Sequence, residues 1–372
     1  MNMTEPMTTY YAHAIALSLY PDLQYRDKKK LIEIYGGFSG FIQTLEHGNV
    51  LDPRHEPMFE NLSRGLDLPR AHKELERLEK LGGWIMVYGT SEYPTHLGEI
   101  ANPPLVLFGM GRTDFQEGKE LGFVGPRKPS HYGHRVAQWL AKELVAHNMT
   151  LVSGLASGID SVAHNIALES KGYTVAVVAH GLEHCYPSEH RRLLDWIIQD
   201  GTVISEYVPS TRTRREFFPA RNRIISGLSR GVLIVEAGRK SGVRITANHA
   251  IEQYREVYAV PGPIDQELSM YPNMLIAEGA KMVRSPSDIL EDFPMCLEEI
   301  DTTQTHSTGP AALTRVQRDV LAQFRGNQPR SIEELKQESR MTTQKLLQTL
   351  TELELEGWVS RQADARYTLL IK

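Results

Sequence analysis

The stretch "FPARNRIISGLSRGVLIVEA", residues 218–237, decides how this chain is read. Its second half is an apolar, β-branched run, Val232 to Val235, ending at Glu236, the pattern of a strand buried on both faces. Its first half sets Arg221, Asn222 and Arg223 beside Phe218, Ile224 and Ile225. Two guanidiniums and an amide directly ahead of a core strand need a reason.

Outward from this stretch the same grammar repeats. Between Gly83 and Leu290, short apolar runs are "WIMVY" (84–88), "LVLF" (105–108), "LGFV" (121–124), "TLVS" (150–153), "TVAVVA" (174–179), "TVIS" (202–205), "GVLIVE" (231–236) and "EVYAV" (256–260). Amphipathic segments such as "GHRVAQWLAKELVAHN", "IDSVAHNIALESKG" and "RITANHAIEQY" separate them. Strand–helix alternation with continuously apolar strands predicts an α/β fold with a parallel, doubly wound sheet. Ligands of such sheets bind beyond the carboxyl ends of the strands.

The flanks read differently. Residues 1–80 carry helical periodicity in "YYAHAIALSLY" and "KKKLIEIYGGFSGFIQTL", with a glycine turn of helix-hairpin-helix or SAM type between two helices. The expected domains are 1–80 helical, 83–292 the sheet, 293–312 a linker and 313–372 a tail. The tail reads as three helices and a strand pair, "WVSRQADARYTLL", which together make a winged helix.

Composition excludes several classes. The 372 residues carry a formal charge of −5, so the chain is not globally basic. Two cysteines suggest no disulfide framework. No apolar run approaches the roughly 20 residues of a membrane span, and the N-terminus lacks a basic leader region; the expectation is a cytoplasmic protein without membrane contact. Charge is nevertheless uneven. From Arg212 to Arg255 there are ten Arg or Lys against three Glu. A basic patch on an acidic chain points to a specific anionic ligand.

The strand ends hold the candidates. "GPRKPSHYG" lacks the spacing of a dinucleotide loop, but puts Arg127 and Lys128 near a helix start, where amides and dipole favour phosphate. "SGLASGID" offers Ser153, Gly154, Ser157 and Gly158, with Asp160 complementing a helix N-terminus. "AHGLEHCYPSEHRR" groups His180, His184, Cys185 and His190, but in no zinc spacing, so no metal is expected. "VPSTRTRREFFPARNR" adds Arg215, Phe218, Arg221, Asn222 and Arg223, and "EAGRKSGVRITANHA" adds Lys240, Ser241, Gly242 and Thr246. Donors outnumber plausible general bases and no nucleophile triad is legible, so neither catalysis nor a cofactor is expected. Aromatics beside a basic groove hold single strands without sequence preference; of Phe217 and Phe218, one is expected in the core.

"FPARNRIISGLS", "VEAGRKSGVRITA", "REVYAVPGPID", "LIAEGA", "SGLASGID" and "YPSEHRRL" together resemble the DprA/Smf family of DNA-processing proteins. The resemblance runs from about Trp84 to Val283. It implies an extended Rossmann-like domain that binds single-stranded DNA, protects incoming DNA in natural transformation and delivers it to a RecA-type recombinase. It also implies a homodimer, formed through Arg244 to Ile264, and no catalysis. Three positions depart from the family pattern: Pro126 stands where a Ser is usual, Ser157 where a DNA-contacting Arg is usual, and Tyr271-Pro272 where a Gly is usual. The lost arginine shifts the expected contacts toward Arg127 and the Arg212–Arg223 segment.

Two other classes compete. A nucleotide phosphoribohydrolase on a related sheet would use Arg127 with Glu206 or Glu236, but its Pro-Gly-Gly-x-Gly-Thr loop is missing. A winged-helix duplex reader would be more basic than residues 313–372, whose ten Lys or Arg face eight Asp or Glu.

Overall fold

Among the described residues, helical periodicity in the first 80 becomes five α-helices: α1 (Glu5–Leu19), α2 (Tyr25–Ile34), α3 (Phe38–His47), α4 (Glu56–Gly65) and α5 (Leu68–Lys80). The structure, a computed structural model, describes residues 5–23, 25–48, 50–239, 241–298, 314–324, 329–339, 341–355, 358–362 and 366–369. The chain divides into two compact units, residues 1–301 and 302–372. The glycine turn joins α2 to α3 with Gly36 and Gly37 at φ +74° and +95°, which only glycine adopts readily. Both amides donate inside the turn, to Glu33 and Ile32 carbonyls, so they are not spare donors for phosphate.

The alternating segments follow in order: β1 (Trp84–Val87), α6 (Thr95–Glu99), β2 (Val106–Gly111), β3 (Glu120–Val124), α7 (His131–Ala146), β4 (Thr150–Ser153), α8 (Ile159–Glu169), β5 (Thr174–Val177), α9 (Arg191–Asp200), β6 (Thr202–Ser205), α10 (Phe217–Leu228), β7 (Gly231–Ile234), α11 (Val243–Glu252), β8 (Glu256–Ala259), α12 (Met270–Ala277), β9 (Lys281–Met282), α13 (Ser287–Leu290) and α14 (Pro294–Glu298). Among the described residues one sheet holds nine strands, ordered β1-β2-β6-β5-β4-β3-β7-β8-β9. The expected parallel sheet spans β6 to β9. At the other edge β2 pairs antiparallel with both β1 and β6.

The topology places the site. From β3 the chain steps outward through β4, β5 and β6, then returns to lay β7 on the other side of β3. Connections leaving β3 and β7 therefore diverge, and a crevice opens between them at their carboxyl ends. Helix α7 shows why the layers hold. It buries Val136, Ala137, Leu140, Ala141, Leu144 and Val145, a helical stripe, in a core shared with Leu121, Phe123 and Leu151 of the strands. Across β1 and β2, a second core joins Ile15, Leu17, Leu75 and Leu78 of α1 and α5 to Ile85, Val87 and Phe108. Helix α5 also fixes the loop after β6: buried Glu74 accepts from the Ser210 amide (3.0 Å) and hydroxyl (2.6 Å).

The second unit comprises α15 (Arg315–Leu321), α16 (Ile332–Ser339), α17 (Thr343–Leu355), β10 (Val359–Arg361) and β11 (Tyr367–Leu369), an antiparallel pair. Its core gathers Val320, Phe324, Leu335, Leu346, Leu350, Leu353, Val359 and Tyr367, the expected winged helix. The expected linker starts too early: Phe293 and Cys296 are buried in the first unit's core and α14 occupies residues 294–298, while residues 299–312 lie outside the described residues. Among the described residues no helix is long and apolar enough to cross a membrane.

Candidate functional site

Residues 217–228, whose first half the sequence reading leaves without an assigned element, form helix α10. Pro219 stands in the first turn, where a missing amide costs nothing. The helix turns its residues about 100° apart, so Phe218, Arg221, Asn222 and Ile225 share one face. That face lines a cavity of about 320 Å³ at the switch point. Opposite it are the end of β3 (Val124, Gly125, Pro126, Arg127), the start of α8 (Ala156, Asp160) and the start of α11 (Ser241, Gly242, Val243, Thr246). The N-terminal ends of α8, α10 and α11 thus converge on one space, and their dipoles favour an anion there.

Arg221 forms the inner wall. It is 4% exposed, and its Nη1 donates to the Val177 carbonyl at 2.5 Å. Gly154 makes room for it, since a Cβ there would land on the guanidinium. Burial lowers the guanidinium to about 10, and the nearby Asp160 carboxylate works in the opposite direction. Its Nε is buried without a partner among the described residues. Asp160 accepts from the amides of Gly154 (3.2 Å) and Ala156 (3.4 Å). Burial nevertheless pushes its carboxyl up, while Arg221 pulls it down. Behind them His164 is fully buried, and desolvation lowers it to about 3, so it is neutral.

The outer wall is aromatic and basic. The Arg127 guanidinium lies 5.4 Å from the centre of the Phe218 ring, and Tyr186 meets that ring edge-on at 5.5 Å. Both Phe217 and Phe218 are half-buried rather than one being lost to the core. Phe217 stacks on Tyr207 at 4.1 Å.

The remaining expected residues sit elsewhere. Ser153 is buried behind the wall and donates to the Phe123 carbonyl (2.7 Å). Gly154 is lining for Arg221 rather than for the cavity. Lys128 and Arg215 are exposed beyond the cavity wall. Ser157 lies in the turn next to Gly158, which at φ +85° packs against the Pro126 carbonyl; Ile159 donates to that carbonyl at 3.3 Å. Lys240 lies outside the described residues. Arg223 points away from Arg221. Its guanidinium grips Glu206 through two bonds (2.9 and 2.6 Å) and donates to the Asn102 carbonyl (3.0 Å). Two features escaped the sequence reading: the helix, masked by Pro219 and the Ile224-Ile225 pair, and the closing role of Ile225 and Val243.

Other polar groups named in the sequence are engaged. Glu236 accepts from the Ser130 amide (2.9 Å) and hydroxyl (2.5 Å), fastening the start of α7. His180 donates to the Gly181 carbonyl (2.9 Å), His184 to the Ser210 carbonyl (3.1 Å) and His190 to the Leu155 carbonyl (2.9 Å). Among the described residues no group of three or more His, Cys, Asp or Glu is arranged to hold a metal.

Residues 84–294, more than half of the chain, match the family model for DNA recombination-mediator protein A. The chain belongs to the DprA family. Residues 304–365 match the DprA winged helix domain, which agrees with the fold of the second unit. The Bacillus subtilis DNA processing protein DprA is 41% identical over 227 residues, 61% of this chain and 76% of that one. The crystal structure of DprA from Streptococcus pneumoniae superposes with a TM-score of 0.65 at 32% identity, covering 79% of this chain and 99% of that one. A Helicobacter pylori DprA structure, described for its single-stranded DNA binding mode, superposes with a TM-score of 0.51 at 25% identity, covering 58% of this chain and 96% of that one. The DprA/Smf resemblance expected from the motifs is therefore a family membership, and the Rossmann-like sheet with a winged helix is its fold.

Proposed function

We propose that this DprA-family chain binds single-stranded DNA in the switch-point cavity, without reading sequence and without chemistry on the strand. The carrying observation is the pairing of Arg127 with Phe218 at the mouth of a cavity whose inner wall is Arg221. Guanidinium and ring together suit a phosphate and the base beside it. Asn222, Ser241 and Thr246 add neutral donors and acceptors along the same wall. The Helicobacter pylori relative, described for its single-stranded DNA binding mode, supports single-stranded DNA as the ligand. The phosphoribohydrolase reading loses its carboxylates: Glu206 is held by Arg223 and Glu236 by Ser130.

On this reading the chain acts in DNA processing during natural transformation in the cytoplasm. It shields the incoming strand and passes it to a RecA-type recombinase. A homodimer through Arg244–Ile264 is supported by apolar side chains exposed there: Tyr254 is 96% exposed, Ile264 91% and Ile251 54%. A competition assay with single-stranded and duplex DNA of equal length tests the function. Preference for the single strand is expected, and equal or tighter duplex binding would overturn the assignment.

A further inference from the structure

A second cavity, of about 610 Å³, lies on the far face of α10. Its walls include Arg26 and Lys28 of α2, Tyr207 and Glu206 of the loop after β6, and Arg223 of α10. Three cations face one carboxylate, so the space keeps an excess of positive charge. Its frame is built. Lys28 is buried and donates to the Ser18 (3.1 Å) and Tyr20 (2.8 Å) carbonyls, and Arg223 is fixed by Glu206. Arg26 is exposed at the rim, in the first turn of α2. The volume falls in the range of roughly 300–1,000 Å³ that encloses small organic ligands.

The two cavities are linked by aromatic rings. Phe218 lines the first, and its neighbour Phe217 stacks on Tyr207, which lines the second. Each phenylalanine carries an arginine: Arg127 at 5.4 Å from the Phe218 ring and Arg214 at 5.8 Å from the Phe217 ring. Alternating rings and guanidiniums offer a base a face and the next phosphate a charge, step by step. We infer that the second cavity receives a nucleotide of the same single strand that fills the first, after the strand crosses the first turn of α10. This rests on the function proposed above.

The test uses the full chain and two oligothymidylates, one of about 4 and one of about 16 nucleotides, the range that single-strand-binding OB domains cover. Each is titrated over a range of salt for the unaltered protein, Arg26→Gln and Arg127→Ala. Both side chains are exposed, so both variants are expected to melt like the unaltered protein. Arg26→Gln should leave the short strand's affinity unchanged. It should weaken the long strand about fivefold near 0.1 M salt and reduce its salt slope by about 0.7, the loss of one phosphate contact. Arg127→Ala should weaken both. If Arg26→Gln changes neither strand, or weakens both alike, while Arg127→Ala weakens both, the second cavity is not on the path and the first assignment stands. If neither strand binds the unaltered protein, the functional assignment itself fails, and the inference with it.

Discussion

Arg221 and Arg223 stand two residues apart on one helix and face opposite ways. Arg221 is buried against one carbonyl, near Asp160, with a donor to spare. Arg223 spends its donors on Glu206, Asn102 and Ala220. One guanidinium therefore walls a cavity at the switch point, and the other locks α10 to the loop after β6. Side-chain type alone does not tell these roles apart. Helical phase does, because two steps of about 100° carry a residue to the far side.

The largest expected effects test that division. Arg223→Ala breaks the buried ion pair with Glu206 and should cost about 3–5 kcal/mol of stability in denaturant unfolding, whereas Arg221→Ala leaves the buried Val177 carbonyl without its donor and should cost about 1–3 kcal/mol. The two should part in binding. Folded Arg223→Ala should hold a short oligothymidylate normally, whereas Arg221→Ala should not. Equal losses of short-strand affinity would merge the two faces.

Gly154→Ala sharpens the first face. Its new methyl would meet the Arg221 guanidinium, so overpacking should cost about 1–3 kcal/mol. An unchanged melting midpoint would show that Arg221 moves freely. Acidity probes the same wall from behind. His164 in the fold resists protonation to about 3, against 6.5 for the free ring. Between those values the unfolded chain binds the extra proton, so stability falls as pH drops through the window. From about pH 8 to about pH 5 this one group should remove about 2 kcal/mol, and His164→Asn should flatten that part of the profile. The smallest effect belongs to the second unit. Deleting residues 313–372 should change single-strand affinity by less than tenfold, about 1.4 kcal/mol, because that tail is nearly neutral.

Much of this was legible beforehand. Eight strands could be read because their side chains are apolar on both faces, and β9 could not because two residues carry no pattern. Seven expected site residues (Arg127, Phe218, Arg221, Asn222, Ser241, Gly242 and Thr246) line one cavity because loops at the carboxyl ends of neighbouring strands must meet. Phase was not legible. Pro219 and the Ile224-Ile225 pair disguise α10, and without a helix Arg221 and Arg223 look equivalent. Nor could the sequence show that Ser153 turns to the Phe123 carbonyl, since a buried hydroxyl takes whichever acceptor packing provides. The tyrosine and proline at 271–272 fit without disturbance: Pro272 sits in the first turn of α12, and Tyr271 packs under Arg244, 5.1 Å from its ring centre.

The most direct measurement of the central claim is the salt dependence of single-strand affinity for the unaltered chain and Arg127→Ala. Arg127 is exposed at the cavity mouth, so its loss should spare the fold. The line of log affinity against log salt should be shallower by about 0.7 in the variant, for every sequence tried. An unchanged slope and affinity would place the DNA somewhere other than the switch-point cavity.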